Sequence, residues 1–156
     1  MENKEYLKAS VNILWCKLST YKEYESLLKG LKSFLDELEE KLIVTGYPKG
    51  ISFSNDPKVS SHKPIDERYN EVLTDIDFTE KRIDHVTAIL QSIVTIKELC
   101  SSEIQEYIQY KFFDGHTWEE TERKFFKTQK ALDYQIKKEL LNIISRESFY
   151  KEVFCE

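Results

Sequence analysis

Two long stretches of the sequence place apolar residues at alternating steps of three and four positions. In a helix of about 3.6 residues per turn this spacing gives one apolar stripe, which has to be buried along a second helix. The chain is therefore predicted to be all-α, with residues 1–99 forming a long antiparallel helical hairpin that resembles a coiled coil. The first stretch comprises Tyr21, Tyr24, Leu28, Leu31, Leu35, Leu38 and Leu42, and its stripe is predicted to continue backwards through Leu7, Val11, Leu14 and Leu18. The second comprises Ile65, Tyr69, Val72, Ile76, Thr79, Ile83, Val86, Leu90 and Ile93.

Proline and glycine are concentrated between the two stretches. Residues 43–64 contain two of the 4 glycines and all 3 prolines of the chain. Both residue types interrupt regular structure, so this segment is predicted to be the loop of the hairpin. At about 20 residues it is longer than a helix–helix connection requires, which leaves it as either a mobile linker or a contact site.

Residues 100–156 carry shorter helical signals and are predicted to form a separate domain of three helices. The first helix should contain the apolar run from Ile104 to Phe113 and stop at Asp114-Gly115, because glycine tolerates the left-handed conformation that ends helices. Thr117 and Glu120 have the spacing of a capping box, which predicts a short second helix over residues 118–125. Short helices joined by a tight turn indicate a helix-turn-helix.

The third helix of this domain is predicted to begin after Thr128, which can cap its N-terminus. Residues 148–156 are expected to form a frayed or docking helix. The second helix should turn Trp118, Thr121 and Phe125 towards the core, with Trp15 as a further core anchor. The third helix should bury Leu132, Ile136, Leu140 and Ile143.

Basic residues are concentrated on the last two helices, although the whole chain carries a net charge of −5. Residues 121–146 contain seven basic and three acidic side chains. A basic stripe beside a helix that can enter the major groove indicates phosphate contacts, and Gln and Lys are residue types that read adenine and guanine. The simpler interpretation is a solvated helix face. The candidate residues for binding double-stranded DNA are Arg123, Lys124, Lys127, Thr128, Gln129, Lys130, Asp133, Tyr134, Lys137 and Lys138.

The run from Tyr110 to Thr121, with Gly115 and Thr117-Trp118-Glu119-Glu120, resembles a motif of sigma-factor region 4-like helix-turn-helix domains. The motif occurs in phage late transcriptional regulators of the ArpU/RinA type. Their opening motif is similar to Leu18, Tyr21, Lys22, Tyr24 and Leu27, and their hairpin loop to Pro48-Lys49-Gly50. The resemblance implies a phage or prophage regulator of late packaging and lysis genes, acting in the cytoplasm of a bacterial host.

The sequence departs from this family pattern in the turn of the helix-turn-helix. Thr121-Glu122 replaces an Ile-Ala pair, and Phe125-Phe126-Lys127-Thr128 replaces a turn that contains glycine. The loss of the glycine predicts a different turn geometry or a tilted third helix.

Three functions follow from these patterns. In the first, the protein is a sequence-specific transcriptional regulator whose hairpin forms a homodimer or contacts RNA polymerase. In the second, the acidic hairpin is a protein-interaction module and the C-terminal helices only cap it. In the third, the chain is a packaging protein similar to a small terminase subunit.

Other functional classes lack their sequence signals. No apolar run is long enough for a membrane helix. Met1–Glu5 is not a basic segment followed by an apolar stretch, so a secretory signal is not expected. Three widely spaced cysteines suit a reducing cytoplasm. His62, His85 and His116 do not have metal-ligand spacing, and no phosphate-binding glycine loop is present. The chain is predicted to have no catalytic residues, no metal and no cofactor.

Overall fold

The computed structural model describes residues 2–46 and 65–146, and all regular structure in these two ranges is helical, which confirms the all-α prediction. The helices are α1 (Glu2–Ser19), α2 (Tyr21–Gly46), α3 (Ile65–Glu98), α4 (Ser102–Ile108), α5 (Trp118–Phe125) and α6 (Gln129–Ile144). A π-helical turn, Gln109–Phe113, extends α4. Helix α2 includes residues 43–46 of the predicted loop. The rest of that loop and the predicted helix at 148–156 lie outside the described residues.

The described part of one compact unit comprises residues 26–46 of α2 and 65–87 of α3. Its buried side chains are seven residues apart on each helix: Leu31 and Leu38 on α2, and Val72, Thr79 and Val86 on α3. This spacing is typical of helices that pack along their length, and all five residues belong to the predicted stripes. Thr79 is accommodated in its stripe because its hydroxyl donates to the Asp75 carbonyl at 2.7 Å.

The other compact unit combines the two ends of the chain, and its described part comprises residues 2–25 and 88–146. Helix α1 packs against α6, and its stripe of Val11, Leu14 and Leu18 is buried in the same core as Ile136 of α6. The two units meet at 25/26 and at 87/88, and the second of them spans the position 99/100, where the sequence predicts a domain boundary. The physical reason is that α1 and the end of α3 complete the core of the C-terminal helices.

Helix α1 is a separate element, although helical hydrogen bonds continue through Thr20. The Thr20 amide donates to the Cys16 carbonyl, and the Tyr24 amide donates to the Thr20 carbonyl. The Thr20 hydroxyl donates to the carbonyls of Cys16 and Lys17, at 3.0 Å each. Such back-bonding offers the backbone an alternative to regular helix, which explains a local break at this position.

The three C-terminal helices form as the sequence indicates. Gly115, at φ 78°, has the left-handed conformation expected after a helix end, and an added Cβ would lie 3.0 Å from Cε of Lys22. The predicted apolar face of α6 is buried, with Leu132, Ile136, Leu140 and Ile143 at most 1% exposed. Within the described ranges, no helix has the length and apolarity that crossing a bilayer requires.

Replacing Leu14 by alanine is predicted to destabilise the protein by about 2–5 kcal/mol, because the side chain is fully buried between α1 and the C-terminal helices. The matched control is Ile13→Ala, since Ile13 is 48% exposed on the same helix and should cost less than about 1 kcal/mol. Urea unfolding of the two variants measures the difference. Equal, small losses would show that α1 does not belong to this core.

Candidate nucleic-acid interface

A capping box fixes the start of α5. The Glu120 amide donates to the Thr117 hydroxyl at 3.2 Å, and the Thr117 amide donates to the Glu120 carboxylate at 3.4 Å. His116 extends this arrangement, because its Nδ1 lies 2.7 Å from the same carboxylate and its ring stacks on Tyr110 at 3.9 Å. The hydrogen bond with His116 is the main cause that lowers the pKa of Glu120, and the Thr117 amide contributes as well. The predicted capping box and helix bounds are confirmed.

A three-residue turn, residues 126–128, joins α5 to α6. Phe126 takes the left-handed conformation at φ 53° and is 92% exposed. Thr128 caps α6 as predicted, since its hydroxyl accepts from the Ala131 amide at 3.2 Å. Glu122 of α5 accepts from the Gln129 amide at 2.7 Å. Two side chains thus satisfy amides that would otherwise lack partners at the start of α6.

The face of α6 opposite its buried residues carries Lys130, Tyr134 and Lys138, which we name the exposed stripe. They follow each other at intervals of four residues, so their side chains lie one above the other on the helix surface. All three are exposed, Tyr134 by 66%. Among the described residues, none of the three side chains has an ion-pair or hydrogen-bond partner. The exposed stripe is therefore open to a partner molecule.

Lys127 is engaged within the protein. Its ammonium donates to Glu103 Oε1 at 3.0 Å, to the Tyr107 hydroxyl at 2.6 Å and to Gln135 Oε1 at 3.1 Å. We call these four residues the Lys127 network. The hydrogen bonds that Lys127 donates to Tyr107 and to Glu103, in this order of size, raise the pKa of Lys127. The hydrogen bonds that Glu103 accepts from Tyr107 and from Lys127 lower the pKa of Glu103. The network ties α4 to the turn and to α6, which gives this candidate DNA contact a structural role.

Asp133 and Lys137 lie on the side of α6 that faces α1. The Lys137 ammonium is 4.9 Å from the centre of the Trp15 ring and 3.9 Å from Asp133 Oδ2. The other oxygen of Asp133 is buried and has no hydrogen-bond partner in the described structure. Trp15 itself stacks on Trp118 at 6.2 Å, and both pack against the core as predicted. These two candidates are thus separated from the exposed stripe by their orientation.

The two basic candidates on α5 are exposed. The Lys124 ammonium lies 4.4 Å from the centre of the Tyr110 ring, a cation–π distance. Arg123 is close enough to contribute to the lowered pKa of Glu120. Of the ten candidates, Thr128, Gln129, Lys130, Tyr134 and Lys138 share the exposed surface at and beyond the start of α6, whereas Lys127, Asp133 and Lys137 are turned towards intramolecular partners.

Sequence reasoning missed Phe126 as a surface residue of this region. The signal for it in the sequence is its position. Phe126 lies between Phe125, the last residue of α5, and Thr128, the N-cap of α6, so it belongs to the apolar face of neither helix. Leu141, which is 40% exposed, lies three residues beyond Lys138 and extends the exposed surface along α6.

The described residues contain no cluster of three or more His, Cys, Asp and Glu side chains that could hold a metal ion. Cys16 and Cys100 are free thiols. Burial raises the pKa of Cys100 to about 12, so this thiol is protonated and weakly nucleophilic.

No family model, curated protein or solved structure matches this chain. The resemblance to ArpU/RinA-type regulators therefore stays a prediction. The functional argument rests on the residues of α5, the turn and α6.

Removing the charge of Glu120 is predicted to remove a pH-dependent part of the fold's stability. Because the folded protein lowers this pKa below its ordinary value of 4.5, the stabilisation is complete above that pH and is lost as the pH falls through the lowered pKa. Glu120→Gln should lower the urea midpoint at about pH 7, and its difference from the wild type should shrink as the pH falls below 4.5 and through the lowered pKa. Glu119→Gln, on the next and exposed position, is the control. A pH-independent difference between Glu120→Gln and the wild type would contradict the assignment.

Lys127→Met is predicted to destabilise the fold, because it leaves Glu103, Tyr107 and Gln135 without their shared donor. Lys130→Met, three residues away on the exposed stripe, should leave the urea midpoint unchanged. Both variants lose one positive charge, so a comparison of their midpoints isolates the network. Equal midpoints would argue that Lys127 is not structurally engaged.

Proposed function

We propose that this protein is a sequence-specific transcriptional regulator that binds double-stranded DNA with α6 in the major groove. The observation that carries the proposal is the exposed stripe of Lys130, Tyr134 and Lys138 on a helix whose opposite face is locked in the core. A recognition helix needs this combination, because it must bury one face for support and leave the other to base edges and phosphates.

The residues at the start of α6 suit the end of a helix that enters the major groove. Gln129 and Lys130 occupy its first turn, and these residue types pair with adenine and guanine edges. The positive end of the helix dipole also favours nearby phosphates. Lys138, two turns further along, and Arg123 of α5 are exposed cations that suit contacts with the DNA backbone.

The charge distribution favours the C-terminal helices over residues 26–87 as the DNA contact. The described parts of that unit, residues 26–46 and 65–87, contain eleven acidic and six basic side chains. This excess of negative charge repels phosphates and suits a protein partner. In the proposal this unit serves homodimerisation or contact with RNA polymerase, and the resemblance adds phage late genes for packaging and lysis as the regulated targets in the cytoplasm of a bacterial host.

A second candidate is a protein-interaction module in which residues 26–87 are the binding region. It is favoured by the acidic excess and by the large apolar side chains on the surface of that unit, among them Phe34 at 47% and Phe78 at 63% exposure. Under this alternative the exposed stripe would have no DNA partner, so a DNA-binding measurement separates the two candidates.

The proposal predicts that the double variant Lys130→Ala/Lys138→Ala weakens DNA binding and reduces its salt dependence. Loss of two positive charges from the proposed interface should reduce the magnitude of the slope of log K against log[salt] by about 2. The probe is a labelled duplex that the wild-type protein enriches from a random library, titrated between about 50 and 200 mM salt.

The matched control is Lys29→Ala/Lys32→Ala, which removes the same charge from two exposed lysines of α2. It should retain the wild-type slope. Equal affinity and slope for both double variants would place the DNA contact elsewhere, and failure of the wild type to enrich any duplex would favour the protein-interaction alternative.

A further inference from the structure

Phe126 is held in a conformation that its side chain disfavours. Its φ of 53° and ψ of 37° lie in the left-handed region, where a Cβ crowds the following carbonyl. Glycine takes this conformation at helix ends without that cost, and Asn tolerates it best among the other residues. A bulky aromatic residue at this position therefore makes the turn less stable than glycine or asparagine would.

Packing does not compensate for this cost. Phe126 is 92% exposed, and in the described structure no aromatic ring or cation lies against its ring. The neighbouring Phe125 shows the contrast, since its ring meets those of Tyr107 and Tyr110 edge-on at 4.7 and 5.7 Å. The fold therefore uses the first phenylalanine of this pair and leaves the second to solvent.

The position of Phe126 suggests what its ring is for. It lies two residues before Thr128, the N-cap of α6, and four before Lys130, the first residue of the exposed stripe. In a helix-turn-helix this end of the recognition helix is the part that meets base edges. A phenyl ring cannot accept or donate a conventional hydrogen bond. The apolar feature that the major groove offers to such a side chain is the C5-methyl group of thymine.

We propose that Phe126 is a specificity-determining residue that packs against a thymine C5-methyl group in the major groove. This inference rests on the proposed DNA-binding function and adds one base contact to it. It also accounts for the strained turn, because a ring retained for recognition at this position has to accept the left-handed conformation.

The test combines stability and base recognition in the same variants. Phe126→Gly should raise the urea midpoint, because it relieves the left-handed conformation and removes an exposed ring. Phe126→Leu keeps an apolar group without relieving the backbone, so it should leave the midpoint close to that of the wild type. The wild-type protein is used to select duplexes of about 20 base pairs from a random library.

Each thymine of the selected duplex is then replaced in turn by deoxyuridine, which lacks only the methyl group. We expect the wild type to lose about tenfold in affinity at one position. Phe126→Gly should bind the thymine and deoxyuridine duplexes equally, and Phe126→Leu should retain part of the discrimination.

The outcomes distinguish the inference from the function on which it rests. If the wild type binds the selected duplex but responds to no deoxyuridine substitution, the role of Phe126 is overturned and DNA binding stands. If Phe126→Gly and Phe126→Leu still prefer the thymine duplex over the deoxyuridine duplex by the same factor as the wild type, the methyl contact belongs to another residue. If the wild type selects no duplex, both proposals fail.

Discussion

The packing of α1 against α6 is the contact on which the C-terminal unit depends. Helices α4 and α5 are short, with 7 and 8 residues. Buried residues of α4 and α6 form one core with Leu14 and Leu18 of α1 and Ile93 of α3, and the half-buried Trp118 and Phe125 of α5 pack against it. A short helix is marginal by itself, so most of its stability has to come from such burial. The same contact orients α6, because it holds one side of the helix against α1 and leaves the exposed stripe outside the core.

Whether a lysine of this region is available to a partner is decided by its neighbours on other helices. Lys127 and Lys130 are three residues apart and chemically identical, yet only Lys127 meets the carboxylate and hydroxyl groups of α4. Lys137 likewise reaches the Trp15 ring of α1, whereas Lys138 beside it points to solvent. The local excess of basic residues therefore overstates the charge that a nucleic acid would meet.

Local signals in the sequence predicted local structure well. The capping box of Thr117 and Glu120, the stop at Gly115 and the buried face of α6 all follow from spacing within a few residues. The spacing of apolar residues does not show which other helix an apolar stripe packs against. Leu14 has the right period for either the hairpin or the C-terminal core, and only the three-dimensional arrangement assigns it to the latter. For the same reason the sequence could not separate engaged lysines from free ones in the candidate site.

The proposed binding of DNA by α6 has to be compatible with the negative net charge of the chain. At physiological ionic strength the Debye length is about 8 Å, so exposed charges farther away are largely screened. The net charge of −5 then affects long-range approach more than the bound state. In the proposed complex the exposed cations of α5 and α6 would dominate at contact distance, and because only a few of them lack intramolecular partners, non-specific affinity would be low. For the proposed regulator, base contacts from α6 and its preceding turn would have to supply much of the affinity, which couples tight binding to the correct sequence.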